Sequence, residues 1–375
     1  MAVTFKPISH ADRTHSRTLL HENIPITGAL VSGSTYTNIA ITAENGVSAR
    51  ADNIKTFSHG MFQSVYDYPY ASSSANHLFD VTLGCSTRPE SLSSSTAWAT
   101  TAQRSKKVNI YNQMAQVLAG YNTGSLVRTF DLSGSFEAPA AGENYREINE
   151  AVFLNFSRLL TKDEIKKGSF SMTVVTSSVY ANIEQKAHLE SKTITDVSAS
   201  NSYKVNSPAG EYGVLTNGTH PVGLLYYQAG IAVLTASVFE GATTATQLAG
   251  LTPGGIKTTA LITGSTINSF ADAARKRIFN ISFNNTTELN STIYFCRAHH
   301  HEFNYSSNPT YLSGSKIRVK EGSDNSNEML NPPRSYVTTV GLYSPNNELL
   351  AVAKLSEPLR KDPTVELNLR VRLDY

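Results

Sequence analysis

At the end of the chain Val365, Leu367, Leu369, Val371, Leu373 and Tyr375 alternate with Glu366, Asn368, Arg370, Arg372 and Asp374. A period of two sends the apolar side chains to one face of a strand and the polar ones to the other, so this pattern predicts a terminal strand with one covered face. Residues 335–343 (Ser-Tyr-Val-Thr-Thr-Val-Gly-Leu-Tyr) and 349–355 are rich in the β-branched and aromatic types that suit a pleated surface. The turn Ser344-Pro345-Asn346-Asn347 separates them. This C-terminal group reads as scaffold, with no shape for chemistry.

The same reading carries along the rest of the chain. Short strands and turns are expected to about residue 56, then a dense aromatic segment containing Phe57, Phe62, Tyr66, Tyr68 and Tyr70, then a strand over residues 77–83. Residues 86–103, with Trp98, read as a Ser/Thr/Ala-rich loop. Two helices are legible. In residues 105–119, Val108, Tyr111, Ala115 and Leu118 fall on one stripe, and Gly120 stands where a C-cap belongs. Thr161-Lys-Asp-Glu164 is a capping-box pattern that predicts a short helix over 161–167, closed by Gly168. Residues 189–213 read as Ser/Thr/Asn-rich linker, and residues 222–239, uncharged and apolar, as two adjoining buried strands rather than a membrane span. Residues 241–269 have the Gly/Thr/Ala composition of an exposed loop. Residues 279–283 and 292–297 are expected to form a hairpin joined through the Asn/Thr run at 284–291, with a long connection over 304–334.

The expected fold is therefore mainly β (α+β): an antiparallel β-sandwich-like core with two short helices and an inserted β-rich segment. Its divisions are an N-terminal arm over 1–35, a β-rich core over 36–188, an inserted segment with mobile loops over 189–269, and C-terminal strands over 270–375 completing the core sheet.

Composition narrows the function. Charged residues are 17% of the chain, below the roughly 25% usual for soluble domains. Hydrophobic content of 40% is that of a folded protein with an uncharged polar surface. A net charge of +2 leaves no electrostatic footprint for duplex nucleic acid. The start of the chain lacks the basic then apolar pattern of a secretory signal, and Cys85 and Cys296 do not make a disulfide framework. Asn-x-Ser/Thr triplets at Asn155, Asn217, Asn280, Asn285, Asn290 and Asn304 read as a by-product of composition.

Candidate chemistry is sparse. In Arg297-Ala-His-His-His-Glu302, a strand would point His299 and His301 the same way, a spacing that presents two imidazoles to one metal ion. Two ligands need completion by other residues or subunits, and a His run at a polar strand edge equally describes a solvated rim. Residues 250–258 resemble a phosphate loop only until Ile256, which stands where Gly must precede the lysine. Neither a Gly-x-Ser-x-Gly elbow nor a cysteine signature occurs. Asp67 with Asp80, or Glu143, Glu147 and Glu150, could pair as carboxylates only if the fold gathers them. The aromatics of 57–70 suit a core or an interface between proteins, and secondarily a sugar-stacking platform. Interface candidates are Phe62, Tyr66, Tyr68, Tyr70, Tyr336, Tyr343 and Tyr375. No catalytic residue, cofactor or enzymatic activity is expected.

Several stretches carry a resemblance: residues 59–70 (His-Gly-Met-Phe-Gln-Ser-Val-Tyr-Asp-Tyr-Pro-Tyr) with 73–77, Lys107-Val-Asn-Ile-Tyr-Asn-Gln-Met-Ala115, Leu154–Leu160 with Lys162–Gly168, Phe303–Thr310, and Thr338–Tyr343 through Ala351–Ser356. Together they resemble virion structural proteins of tailed bacteriophages with long contractile tails, in a tail or baseplate position first and a neck or collar position second. The resemblance spans most of the chain. It implies a non-enzymatic building block, made in the bacterial cytoplasm and assembled in the virion with copies of itself and other virion proteins, without direct nucleic-acid or membrane contact. The alternative is a receptor- or carbohydrate-binding tail module that contacts surface glycan.

Overall fold

A computed structural model of the chain describes, apart from scattered single positions and pairs, residues 5–25, 54–87, 102–136, 147–175, 191–239, 266–306 and 333–375, with short pieces at 312–313 and 316–317. The fold is mainly β, antiparallel and sandwich-like, and it divides into two compact units. The larger comprises residues 20–287; the smaller comprises residues 1–19 and 288–375. The division falls inside two long strands, β1 (Arg13–Pro25) and β15 (Ile278–Ala298).

The larger unit is built on ten neighbouring strands. From one end they are the first part of β15, then β9 (Ser171–Val175), β10 (Ser191–Thr195), β12 (Gly210–Thr216), β13 (Pro221–Tyr226), β14 (Ile231–Thr235), β7 (Glu150–Phe156), β4 (His77–Cys85), β3 (Gln63–Tyr66) and β2 (Ile54–Thr56). The central strands are covered on both faces. Every residue of β13 after Pro221 is buried, and so are Ala232, Val233 and Leu234 of β14. A strand buried on both faces reads as a continuous apolar run and not as an alternation. That is why residues 222–239 look superficially like a membrane span; among the described residues no helix is long and apolar enough to cross one.

Register is fixed by apolar pairs, Phe79 opposite Phe156, Val81 opposite Leu154 and Val233 opposite Phe153. The helix α1 (Ala102–Leu118) packs on β4, and Gly84 is the point of closest approach. A Cβ there would lie 2.8 Å from the Tyr111 backbone nitrogen. The fully buried Tyr111 phenol donates to the Ile148 carbonyl (2.7 Å) and accepts from the Phe130 amide (3.1 Å), while its ring meets Phe130 edge-on with 5.4 Å between centroids. Burial pushes the Tyr111 hydroxyl far above its ordinary range, which keeps it a neutral donor.

The smaller unit holds the remainder of β15, flanked by β1 and by β20 (Leu367–Asp374), and two separate two-stranded sheets, β16 (Leu312–Ser313) with β17 (Lys316–Ile317) and β18 (Ser335–Tyr343) with β19 (Leu349–Lys361). The terminal alternation appears as expected in β20: Leu367, Leu369, Val371 and Leu373 are covered in part or in full, while Asn368, Arg370, Arg372 and Asp374 are exposed.

Several expectations are corrected. The hairpin predicted over 279–297 is one uninterrupted 21-residue strand, β15. Its Asn/Thr run stays extended because the sheet supplies partners: Asn285 and Thr286 pair with β8 (Glu164–Ile165), and the Asn285 side-chain amide donates to the Leu160 carbonyl at 2.9 Å. Helix α2 occupies Arg158–Thr161, so Thr161 ends it and does not open a helix over 161–167; Lys162 has a positive φ of 53° and the chain enters β8. The stretch 189–213 is not linker where it is described. It contributes β10, the short helix α3 (Ala199–Ser202), β11 (Lys204–Ser207) and the start of β12, with Ile194 and Tyr212 fully buried. Residues 191–239 are accordingly the middle of the large sheet, not an insertion beside it. In its described part the arm over 1–35 is the strand β1 after a single 3-10 turn at His10–Asp12. At the C-terminal end, β18 and β19 make their own sheet and do not complete the core sheet. Trp98 and the tracts 241–265 and 318–332 lie outside the described residues.

Candidate functional site

The expected site residues fall in three places. In the larger unit the aromatic segment forms a partly covered ledge on the β2–β3–β4 end of the sheet. Phe57 stacks on His59 at 5.3 Å and lies 4.8 Å from Phe62, with the Lys55 ammonium 5.2 Å above the Phe57 ring. Tyr66 is half-buried between Tyr70 (6.4 Å) and His77 (5.5 Å), and Tyr70 is exposed. Tyr68 lies outside the described residues. Asp80 accepts from the Ser64 hydroxyl at 2.5 Å and contacts His77 Nε2 at 2.8 Å. The Asp80 carboxylate bridges serine and histidine, and the cluster fastens β3 to β4.

The described carboxylates among the sequence candidates have identifiable structural partners. Asp67 accepts from the Asn76 backbone and side-chain amides at 2.6 and 2.8 Å, closing a turn. Glu147 accepts from Thr129 at 3.2 Å, and Glu150 pairs across from Cys85. Glu143 and the Gly/Pro stretch 250–258 lie outside the described residues. The Cys85 thiol is buried and pushed up to about 11 by desolvation, so it is a neutral, inert side chain at physiological pH.

In the smaller unit the histidine run lies in the turn after β15 and not on the strand itself. His299 and His301 do come together, their rings nearly parallel with centroids 6.0 Å apart, and His300 sits 5.1 Å from His301. Their carboxylate neighbour is Glu366, 3.7 Å from His299 Nδ1 and 3.4 Å from His300 Nδ1. Among the described residues no group of three or more His, Cys, Asp or Glu is placed to hold a metal ion. The turn is anchored elsewhere. Glu302 accepts from Lys6 (2.6 Å) and from the His299 amide (2.9 Å), while the Lys361 ammonium donates to Asn304 (2.6 Å), the Asp362 carbonyl (3.0 Å) and the His300 carbonyl (3.2 Å). Lys361 is completely buried, and desolvation lowers its pKa.

The third place is the outer surface of the smaller unit. Tyr336 (62% exposed), Tyr343, Leu349, Leu350 (68% exposed), Val352 and Tyr375 present large apolar groups to solvent, and Phe5 packs edge-on against Tyr343 at 5.0 Å. The unit buries little in exchange: its buried apolar side chains among the described residues are Leu342 and Val371. The other buried positions are polar, namely Ser291, Thr292, Asn304, Lys361 and Asp362. All members of the main hydrophobic core lie in the larger unit. Of the seven interface candidates, Tyr336, Tyr343 and Tyr375 belong to the smaller unit and Phe62, Tyr66 and Tyr70 to the larger, while Tyr68 lies outside the described residues. Sequence patterning did not single out Leu349 and Leu350, whose signal was only an apolar pair directly after a turn.

None of the protein-family models, curated proteins or solved structures compared with this chain matches it.

Proposed function

We propose that this chain is a non-enzymatic structural protein that assembles in multiple copies, and that it serves in the particle of a tailed bacteriophage, in the tail or baseplate or at the neck. The observation that carries the assembly reading is the mismatch in the smaller unit: among its described residues, two buried apolar side chains against an outer surface bearing Tyr336, Tyr343, Leu349, Leu350 and Val352. Burial of apolar area is the main favourable term in folding, at about 25 cal/mol per Å². A unit that leaves this much outside gains it on contact with another protein. The placement in a phage particle rests on the sequence resemblance alone. Copies of itself and other virion proteins are the partners in this reading, and the virion is its location.

The test is molar mass by light scattering across protein concentration, with electron microscopy of any particles. Rings or defined oligomers that grow with concentration are expected. The second reading, a glycan-binding module, draws on the ledge of Phe57, Phe62, Tyr66 and Tyr70. A monomer at every concentration that binds surface glycan, and loses that binding in a folded Tyr66→Ala variant, would replace the assembly reading with this one.

A further inference from the structure

Among the described strands of four residues or more, five carry no Asp, Glu, Lys, Arg or His: β3, β9, β13, β14 and β18. Four of the five are interior. β3 lies between β2 and β4, β9 between β15 and β10, β13 between β12 and β14, and β14 between β13 and β7. For them an uncharged sequence is the expected consequence of having neighbours on both sides. β18 is the exception. Its nine residues, Ser335-Tyr-Val-Thr-Thr-Val-Gly-Leu-Tyr343, have β19 on one side and no described strand on the other.

An open strand edge presents a row of unpaired amides and carbonyls, and proteins that stay monomeric blunt such edges with charges or proline. The other one-sided strands of four residues or more in the smaller unit follow that rule. β1 carries Arg13, His15 and Arg17 in its part of this unit, β20 carries Arg370, Arg372 and Asp374, and β19 carries Lys354, Glu357, Pro358 and Arg360. β18 has β-branched and aromatic residues at Tyr336, Val337, Thr338, Thr339, Val340 and Tyr343, without a charge or a proline. It combines an interior strand's composition with an edge strand's position.

From this we infer that β18 is an assembly strand, whose open edge pairs with the same strand of a second copy of this chain. The inference rests on the self-assembly reading and names the surface that performs it. The absence of charge on β18 favours the second copy as its occupant. In an antiparallel self-pairing each residue meets its symmetry mate's strand, and like charges brought opposite each other oppose the pairing. Most strand edges on this molecule carry charges that would meet themselves, whereas β18 carries none. The exposed Tyr336 and Tyr343 at its two ends, with Leu349, Leu350 and Val352 beside it on β19, would extend the contact beyond the backbone ladder.

The test uses full-length chain with charges placed at two exposed positions near the middle of the strand, Thr338 and Thr339. One variant is Thr338→Lys/Thr339→Lys and the other Thr338→Glu/Thr339→Glu, with circular dichroism confirming that each stays folded and Val205→Lys, on exposed β11, as a control. Light scattering is expected to show that each β18 variant alone needs roughly tenfold or more higher concentration than the parent to associate. Mixing the two should restore association, since opposite charges then face each other across the joint. Loss in both variants without rescue on mixing would overturn self-pairing. Parent-like oligomers in both variants would overturn the role of β18 while leaving self-assembly standing. A parent chain that is monomeric at every concentration would overturn both.

Discussion

At the end of β10 the Asp196 carboxylate closes three loose ends at once. One oxygen accepts from the Gly168 amide at 2.8 Å and the Tyr227 hydroxyl at 3.0 Å, the other from the Phe170 amide at 2.9 Å. It holds the turn after β8 against the sheet, deep enough that burial raises its pKa although the three donors pull the other way. Removing it strands two amides and a phenol inside the protein, so Asp196→Ala is expected to cost about 2–4 kcal/mol in chemical denaturation. An unchanged midpoint would mean that water replaces the carboxylate without loss. The sign of the pH dependence follows from the raised value. The contribution is complete below the unfolded carboxylate pKa of about 4 and is lost as pH rises through the folded value, a slope that Asp196→Asn should remove.

Asp362 behaves oppositely. The Thr364 hydroxyl and amide (2.5 and 2.9 Å) and the Arg360 guanidinium (2.7 Å) hold it down to about 2. Its contribution is present above pH 4 and is lost as pH falls from about 4 towards 2. Acid titration of hydrogen exchange in residues 359–367 should show this loss in the parent chain and a flatter profile in Asp362→Asn. Identical profiles in the two would remove Asp362 as the cause.

At the scale of elements, the contact of α1 with β4 depends on a missing side chain. A Cβ on Gly84 would lie 2.8–2.9 Å from the Tyr111 backbone nitrogen, Cα and Cβ, where no flexible end can move aside. Gly84→Ala should therefore displace the helix and cost about 1–3 kcal/mol, with the near-ultraviolet signal of the tyrosines changed as well. A variant as stable as the parent would show that the helix shifts freely. The helix was legible in the sequence from the stripe of Tyr111, Ala115 and Leu118, all now buried, and the paired strands of 222–239 from their unbroken apolar run. What misled was polarity. The Asn/Thr run at 284–291 has a turn's composition, yet it lies in a strand because Leu160, β8, Asp374 and Tyr375 offer hydrogen-bond partners along it. Likewise the Ser/Thr/Asn composition of 189–213 hid β10 and β12, whose inward residues Ile194, Tyr212 and Leu215 are few but fully buried. Pairing partners far along the chain decided both stretches, and no local pattern records them. The candidate site was legible only in fragments: Tyr336 and Tyr343 could be named as interface residues, but the edge between them, which has no described strand beside it, appears only when strand neighbours are known.

For the molecule as a whole, the two units are held by different means. The larger has a continuous core that includes Phe79, Phe153, Phe156, Phe170 and Phe283, while the smaller has, among its described residues, the Lys361, Asn304 and Asp362 network and two buried apolar side chains. Each polar bond contributes only about 1 kcal/mol net, against roughly 1.5–3 for each fully buried large aliphatic or aromatic side chain. Local opening should therefore be easier in the smaller unit than in the larger. In dilute protein the backbone amides of 335–343 and 367–374 are expected to exchange with deuterium at least roughly a hundredfold faster than those of 151–156 and 222–226. At concentrations where the chain associates, exchange in 335–343 should slow selectively, because a ligand that binds only the closed form adds its binding free energy to that form's stability. Selective protection of 335–343 would show assembly adding burial to a unit whose described residues bury few apolar side chains. Equal protection of both units in the dilute monomer would show that the polar network suffices alone, and the exposed tyrosines and leucines would then need another explanation.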